Sequence, residues 1–388
     1  MELDRNLKQK ILLYASQFRA IAITGPRQSG KTTLCKMLFP EKPYVNFETL
    51  DVLSQSQIDP KGFLNTYKNT GAIFDEIQKA PMLFNYLQEI LDNQKERGKF
   101  ILTGSSNFIL NQNISQSLAG RVGYLEMNTF AVKEIPNYKE FSVWEIIFKG
   151  GYPEIWTNDI IPQFYYSSYI QSFIEKDIRQ LINAKNLLVF QQFIKLVAVR
   201  SGQEWNNSII AMELGIDAKT VTSWISYLQI AGIVFLLPPY FTNFGKRIIK
   251  RPKLFFTDTG IVCNLLGIQN YNQLENHPLK GSIFENFVVM EFLKNNSFAI
   301  NNCNFYYWRS LDGIEIDLIV EKNGKLIPVE IKSGMTYQNS WWKNCSKWNS
   351  ITKLNSESII IYNGSEEMNF SDGRKLLNFH SIPSILDF

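Results

Sequence analysis

The residues Gly25-Pro26-Arg27-Gln28-Ser29-Gly30-Lys31-Thr32-Thr33 have the types and spacing of a phosphate site. They fit G-x-x-x-x-G-K-[ST], in which the glycines let the loop curl until backbone N–H groups face an anion. Lys31 would reach the β- and γ-phosphate oxygens, and the Thr32 hydroxyl would ligate Mg²⁺. The flanks agree with this. Ala20 to Thr24 is a short apolar strand, and Thr32 to Leu38 is a helix-compatible run whose dipole adds positive potential.

Gly71-Ala72-Ile73-Phe74-Asp75-Glu76 is a second apolar strand, ending in two acids. At the carboxyl edge of a parallel sheet these acids fall beside the loop. Asp75 would hold the metal and Glu76 would polarise an attacking water. Lys99 to Thr103 is a third strand, and its polar end offers Ser105, Ser106 or Asn107 near a γ-phosphate, or a simple turn. An arginine at a turn is ordinarily solvated. In this setting Arg121 could neutralise a transferring phosphoryl group, from its own chain or from a neighbouring subunit.

A second candidate site lies near the C-terminus. Ile314 to Val320 and Leu326 to Lys332 both alternate, and Asn323-Gly324 between them is a two-residue hairpin signal. Counting back from that turn sets Asp317 opposite Glu330 and Glu315 opposite Lys332. Facing carboxylates repel unless a positive charge lies between them, which predicts a divalent cation held by Asp317 and Glu330. Lys332 shares their face and could stabilise a reacting phosphate. The alternative is a charged hairpin face with Glu315 paired to Lys332 and Asp317 solvated.

The surrounding elements must position these groups. A chain of 388 residues, 45% hydrophobic, has material for two or three cores. A net charge of +4 does not mark a strongly basic nucleic-acid binder, so local patches must carry any such role. Cys35, Cys263, Cys303 and Cys345 are scattered, and neither His277 nor His380 lies near one, which argues against zinc and disulfides. No apolar run approaches membrane-spanning length and the charged start lacks a signal-peptide core, so a soluble cytoplasmic protein is expected.

Residues 1–18 read as an amphipathic helix with Leu7, Ile11, Leu12 and Ala15 on one face. Phe164, Tyr165, Tyr169 and Phe173 read as core aromatics of a connector. Beyond it, Ser208 to Leu214, the turn Gly215-Ile216-Asp217 and the helix Lys219 to Leu228 fit a helix-turn-helix. Val221, Trp224, Ile225 and Leu228 form its buried stripe. Strands at Ile233 to Leu237 and Phe255-Phe256 would make a wing, with Lys246, Arg247, Lys250, Arg251 and Lys253 between them. Lys219, Thr222, Ser223 and Tyr227 would face DNA, although the third helix is nearly uncharged outside, which favours protein packing instead.

The loop, the Phe74-Asp75-Glu76-Ile77-Gln78 box, Thr103-Gly104-Ser105-Ser106 and Leu118-Ala119-Gly120-Arg121 resemble those of AAA-type ATPases of bacteria and archaea that carry a C-terminal domain of unknown function. The resemblance continues through Gly150 to Glu154 and Glu175 to Ile178 and covers nearly the whole chain. It implies ATP as the ligand, with Lys31, Thr32, Asp75 and Glu76 in the roles above. The Asp317…Glu330-x-Lys332 pattern resembles the PD-(D/E)xK nuclease fold, with Ile316 standing where a proline is usual. That resemblance implies that Glu285, on a preceding apolar helix, assists Asp317, Glu330 and Lys332 at the metal. Tyr306-Tyr307-Trp308 before the hairpin reads as a buried aromatic strand.

The expected architecture is α/β. It comprises a P-loop, AAA-type parallel-sheet domain (1–135), a helical connector (136–188), a winged helix-turn-helix (189–257) and a restriction-endonuclease-like domain (258–388). The expected function is a Mg²⁺-dependent ATPase coupled to a nucleic-acid-binding, nuclease-like module. The alternative is a nucleotide-controlled switch or scaffold with an inactive nuclease-like fold. DNA or another nucleic acid is the expected partner, no membrane is, and a homo-oligomer is expected if Arg121 acts in trans.

Overall fold

A computed structural model describes residues 5–93, 95–105, 118–179, 181–182, 184–240, 251–354 and 356–386. They form two compact units, the first running to Thr129 and the second built from most of the remaining chain.

The first unit contains, in order, α1 (Lys8–Gln17), β1 (Ala20–Thr24), α2 (Lys31–Leu38), β2 (Tyr44–Asn46), α3 (Leu50–Ile58), α4 (Pro60–Thr66), β3 (Ala72–Asp75), α5 (Leu83–Asn93), β4 (Phe100–Thr103) and β5 (Val122–Glu126). Every residue of β1, β3 and β4 is buried. Such continuous apolarity is what a parallel strand covered on both faces requires. The sheet order is β2-β3-β4-β1-β5, and all pairings are parallel. On α5, Leu83, Phe84, Leu87 and Leu91 form one buried stripe against the sheet core. Phe74 stacks on Phe100 with ring centroids 5.6 Å apart, tying the acid-bearing strand to β4. The order brings the ends of β1, β4 and β3 side by side at one edge. Leu7, just ahead of α1, and Ile11 and Ala15 within it are buried, whereas Leu12, expected on the same face, is turned outward.

The second unit begins with helices α6 (Val143–Lys149), α7 (Pro162–Phe173), α8 (Ala184–Val199), α9 (Asn207–Leu214) and α10 (Ala218–Ile230). Ser142 and Glu145 close a reciprocal cap on α6. In α7, Tyr165, Tyr166, Tyr169 and Phe173 are buried, but Phe164 is 69% exposed and is not core. Gly215, at φ +66°, ends α9, and the Asp217 carboxylate takes the N–H of Thr220 to start α10. Val221, Trp224, Ile225 and Leu228 are buried, while Lys219, Thr222 and Ser223 are exposed and Tyr227 is half-buried. Strands β6 (Val234–Leu237) and β7 (Lys253–Phe256) pair antiparallel. Of the expected basic cluster, Arg251 and Lys253 are described; Lys246, Arg247 and Lys250 lie outside the described residues.

After α11 (Thr259–Leu265) and the 19-residue α12 (Lys280–Phe298) comes a six-stranded mixed sheet. It contains β8 (Asn304–Arg309), β9 (Glu315–Lys322), β10 (Lys325–Lys332), β11 (Ser358–Tyr362), β12 (Met368–Asn369) and β13 (Arg374–Asn378), in the order β12-β13-β11-β10-β9-β8. Helix α13 (Lys343–Thr352) contributes Trp348, which packs edge-on to Trp308 beside Ile316 and Ile319. Asn323 and Gly324 both have positive φ, as the two-residue hairpin turn demands. Among the described residues, no helix is long and apolar enough to cross a membrane.

Candidate functional site

The loop after β1 is held by backbone geometry that only particular residues permit. At Gly25, φ is +147° and a Cβ would lie 2.0 Å from the Met127 carbonyl oxygen, so glycine is obligatory there. Gln28 (φ +60°) and Gly30 (φ +92°) take left-handed conformations on either side of Ser29, the backbone pattern from which an anion-binding nest can be built. Lys31 Nζ donates to the carbonyls of Gly25 at 2.9 Å and Pro26 at 2.7 Å. Burial pushes its ammonium down to about 8, against the opposing pull of Glu76 and Asp75. Arg27 is half-buried beside it. Thr33 is exposed, on the outer face of α2, and takes no part in the cradle's interior.

Asp75 is anchored by three hydroxyls. Thr32 Oγ1 donates to Oδ2 at 2.9 Å, Tyr44 donates to the same oxygen at 2.7 Å, and Thr103 donates to Oδ1. Glu76 comes next with φ +54°, and its Oε2 accepts from the Gln78 amide and from Ser105 Oγ at 3.5 Å. Ser105, one of three candidates on that strand end, thus lies beside Glu76; Ser106 and Asn107 fall outside the described residues. The set fits a nucleotide with magnesium. A hydroxyl and a carboxylate meet as hard oxygen donors, an ammonium lies in the loop, and the buried Ser29 hydroxyl has no partner among the described residues.

Arg121 does not join this group. It immediately precedes β5, whose Val122 pairs with Ala20 at the amino end of β1, whereas the loop leaves the carboxyl end at Thr24. Five strand residues separate the two edges, roughly 16 Å. Its guanidinium instead grips Asp92, Nε to Oδ1 at 2.5 Å and Nη2 to Oδ2 at 2.9 Å. The expected reach to a phosphate of its own chain is therefore corrected.

Tyr44 and Arg5 carry no sequence signal that marks them for this site, and Thr103 and Gln78 fall within stretches that resemble AAA-type ATPases but are given no role of their own there. Arg5 is 4% exposed and bridges the carbonyls of Ser29 (3.1 Å) and Asn128 (2.7 Å), fastening the loop to the end of β5. A sequence shows no periodic signal for such a contact, because it depends on strand order.

In the second unit, β9 and β10 pair from Lys322–Lys325 to Leu318–Val329, so Asp317 and Glu330 come next in line. There the Asp317 carboxylate accepts the N–H of Ile331 at 2.8 Å. Lys332 Nζ lies 2.6 Å from Glu330 and 3.7 Å from Asp317. The positive charge expected between these acids is thus already supplied by Lys332. Burial, then the neighbouring Asp317, pushes the Glu330 carboxyl well above its usual range.

Glu315 forms no ion pair with Lys332 among the described residues. It pairs with Arg309 across β8, and its carboxylate bonds Lys253 and lies 3.4 Å from Arg309. Glu285, expected to need a metal, is partnered by Lys253 at 2.8 Å. Lys253 belongs to β7, and this contact requires tertiary packing to be seen. Among the described residues, no three His, Cys, Asp or Glu side chains gather as a metal cage.

Comparison with known proteins matches three stretches of the chain. Residues 17–136 match an AAA domain, 140–272 a domain of unknown function (DUF8612), and 280–382 another (DUF4143). Uncharacterized proteins of Mycobacterium tuberculosis and Mycobacterium bovis are 30% identical over 320 residues, covering 81% of this chain and 70% of theirs. An uncharacterized protein of Methanocaldococcus jannaschii is 25% identical over 396 residues, covering 92% and 85%. Among solved structures, the Walker-type ATPase of Pyrococcus abyssi aligns with a TM-score of 0.46 at 14% identity, over 68% of this chain and 96% of that one. Thermotoga maritima RuvB aligns at 0.32 and 17%, over 61% and 90%. With a phosphate-binding loop on a five-stranded parallel sheet and mycobacterial relatives matched over most of their length, the chain belongs to the family in which an AAA-type P-loop domain is followed by domains of unknown function.

Proposed function

We propose that the N-terminal domain binds ATP with Mg²⁺ and hydrolyses it to ADP and phosphate. The observation that carries this reading is the 2.9 Å contact between Thr32 and Asp75, with Glu76 next in the chain. Thr32 and Asp75 would hold the magnesium, which when bound neutralises phosphate charge. Lys31 exchanges its loop carbonyls for β- and γ-oxygens, and the loop's N–H groups orient the triphosphate. Glu76 takes a proton from water as the water oxygen bonds the γ-phosphorus. The bond from that phosphorus to the β,γ-bridging oxygen breaks, and ADP leaves with the electron pair. Glu76→Gln should keep nucleotide affinity and lose turnover by about 100-fold or more, whereas Lys31→Ala should lose binding. Equal turnover in wild type and Glu76→Gln would remove the assigned base.

The adjacency of Asp317, Glu330 and Lys332 supports a second activity coupled to the first: metal-dependent cleavage of a nucleic-acid phosphodiester. Asp317 and Glu330 supply the one or two carboxylates with which magnesium is commonly held, and Lys332 would turn from them to the reacting phosphate. Helices α9 and α10 with the β6–β7 ribbon are read as a winged helix that presents Lys219, Thr222 and Ser223 to nucleic acid. The test is cleavage of single- and double-stranded DNA and RNA with Mg²⁺ or Mn²⁺, with and without ATP, beside Asp317→Ala. Cleavage lost in that variant with ATPase intact supports the activity. No cleavage by wild type favours a nucleotide-controlled scaffold.

A further inference from the structure

Resting on the hydrolytic reading of the first site, we propose that Gln78 is a positioning residue for Glu76, fixing one carboxylate oxygen so that the other faces the water.

Glu76 emerges from β3 in a left-handed conformation that a non-glycine residue seldom takes, which turns it away from the strand direction just after the anchored Asp75. The bonds from Gln78 Nε2 and from Ser105 Oγ, the latter at 3.5 Å, both fall on its Oε2, and among the described residues Oε1 is left to accept a proton. Gln78 Nε2 also reaches Ser105 Oγ at 3.4 Å, so the three side chains close a ring in which Glu76 is the acceptor. A base oriented by a third group is the arrangement proton transfer requires.

The amide is placed at a cost. Gln78 is only 7% exposed, and its Oε1 is buried without a partner among the described residues. A native fold seldom leaves a buried acceptor unpaired unless the group serves something else. Here what is served is the donor end. A methionine would fill the same volume without an orphaned oxygen, so packing alone does not account for glutamine. The position is also set by the chain itself: two residues after Glu76, the short helix Ile77–Lys79 turns the side chain back toward the acid.

The experiment compares affinity for ADP with affinity for ADP plus aluminium fluoride, both with Mg²⁺, since the fluoride complex imitates the planar phosphoryl group in transfer and needs no turnover to be read. Wild type should gain affinity on adding fluoroaluminate. Gln78→Met, and the shorter amide Gln78→Asn as a second variant, should lose about 10- to 100-fold of that gain, with ADP affinity and melting temperature unchanged. Adding Gln78→Met to Glu76→Gln should cost nothing more, because the residue acts only through the glutamate. A gain equal to wild type in both variants overturns the assignment. So does a loss of ADP affinity and stability in step with the fluoride gain, which would mark Gln78 as structural. Wild type that binds ADP yet gains nothing from fluoroaluminate overturns the hydrolytic reading, and the role of Gln78 falls with it.

Discussion

Lys253 Nζ lies 2.8 Å from Glu285 Oε1, an ammonium only 3% exposed that also bonds Glu315. One cation from β7 thus satisfies acids from α12 and β9, and its proton is held more tightly than an ordinary lysine's because those carboxylates outweigh the burial that opposes them. Removing one partner of such a pair leaves buried charge uncompensated. Lys253→Met should therefore destabilise the second unit by about 3–5 kcal/mol. Urea unfolding checks this, and Lys253→Met with Glu285→Leu should recover much of the loss.

ATP binding should take up a proton near pH 8. In the ligand-free loop Lys31 titrates at about 8, since burial disfavours its charged form. Phosphate oxygens favour the charged form, so the neutral fraction must be protonated as the ligand enters. Affinity should fall as pH rises above 8. Calorimetry at pH 8.5 in two buffers of different ionisation enthalpy reads the uptake, and a binding heat independent of the buffer would contradict it.

Thr32→Val should separate nucleotide contact from metal contact. The valine keeps the shape of α2 but removes the hydroxyl now 2.9 Å from Asp75. Affinity for ATP in EDTA should stay near wild type, while the gain on adding Mg²⁺ should shrink by about tenfold or more, as expected for a lost metal ligand. Fluorescence titration with a labelled nucleotide distinguishes the two.

Arg121→Ala should leave nucleotide affinity within about twofold of wild type, in keeping with a surface pair remote from the loop. Its guanidinium holds Asp92 at the other edge of the sheet. A large fall in affinity in dilute protein would contradict the placement of that residue.

The Glu330 carboxyl is raised in the folded state, so between its unfolded value of 4.5 and the higher folded value the native protein binds the extra proton. Stability must then decline as pH climbs through that window. Glu330→Gln should flatten the decline, read as melting temperature from pH 5 to 8. If the acids take a divalent cation, Mn²⁺ at pH 8 should raise the wild-type melting temperature and leave Glu330→Gln unmoved.

Much of the first site could be read from the chain because its signals are local. A loop motif between strand and helix fixes Gly25, Lys31 and Thr32, and the two acids end an apolar strand, so spacing alone implied their chemistry. The hairpin at Asn323-Gly324 was legible for the same reason: two residues dictate the turn, and the turn dictates the register as far as Leu318. Tertiary structure decided everything that depends on which strands are neighbours. Thr103 meets Asp75 because β4 lies between β1 and β3, Arg121 is stranded on the far edge because β5 runs parallel to β1, and Lys253 reaches Glu285 from a strand 32 residues away. Local sequence sets backbone conformation and side-chain period over a few residues. Partners for buried charge are chosen by packing between distant segments, and no periodicity records that choice.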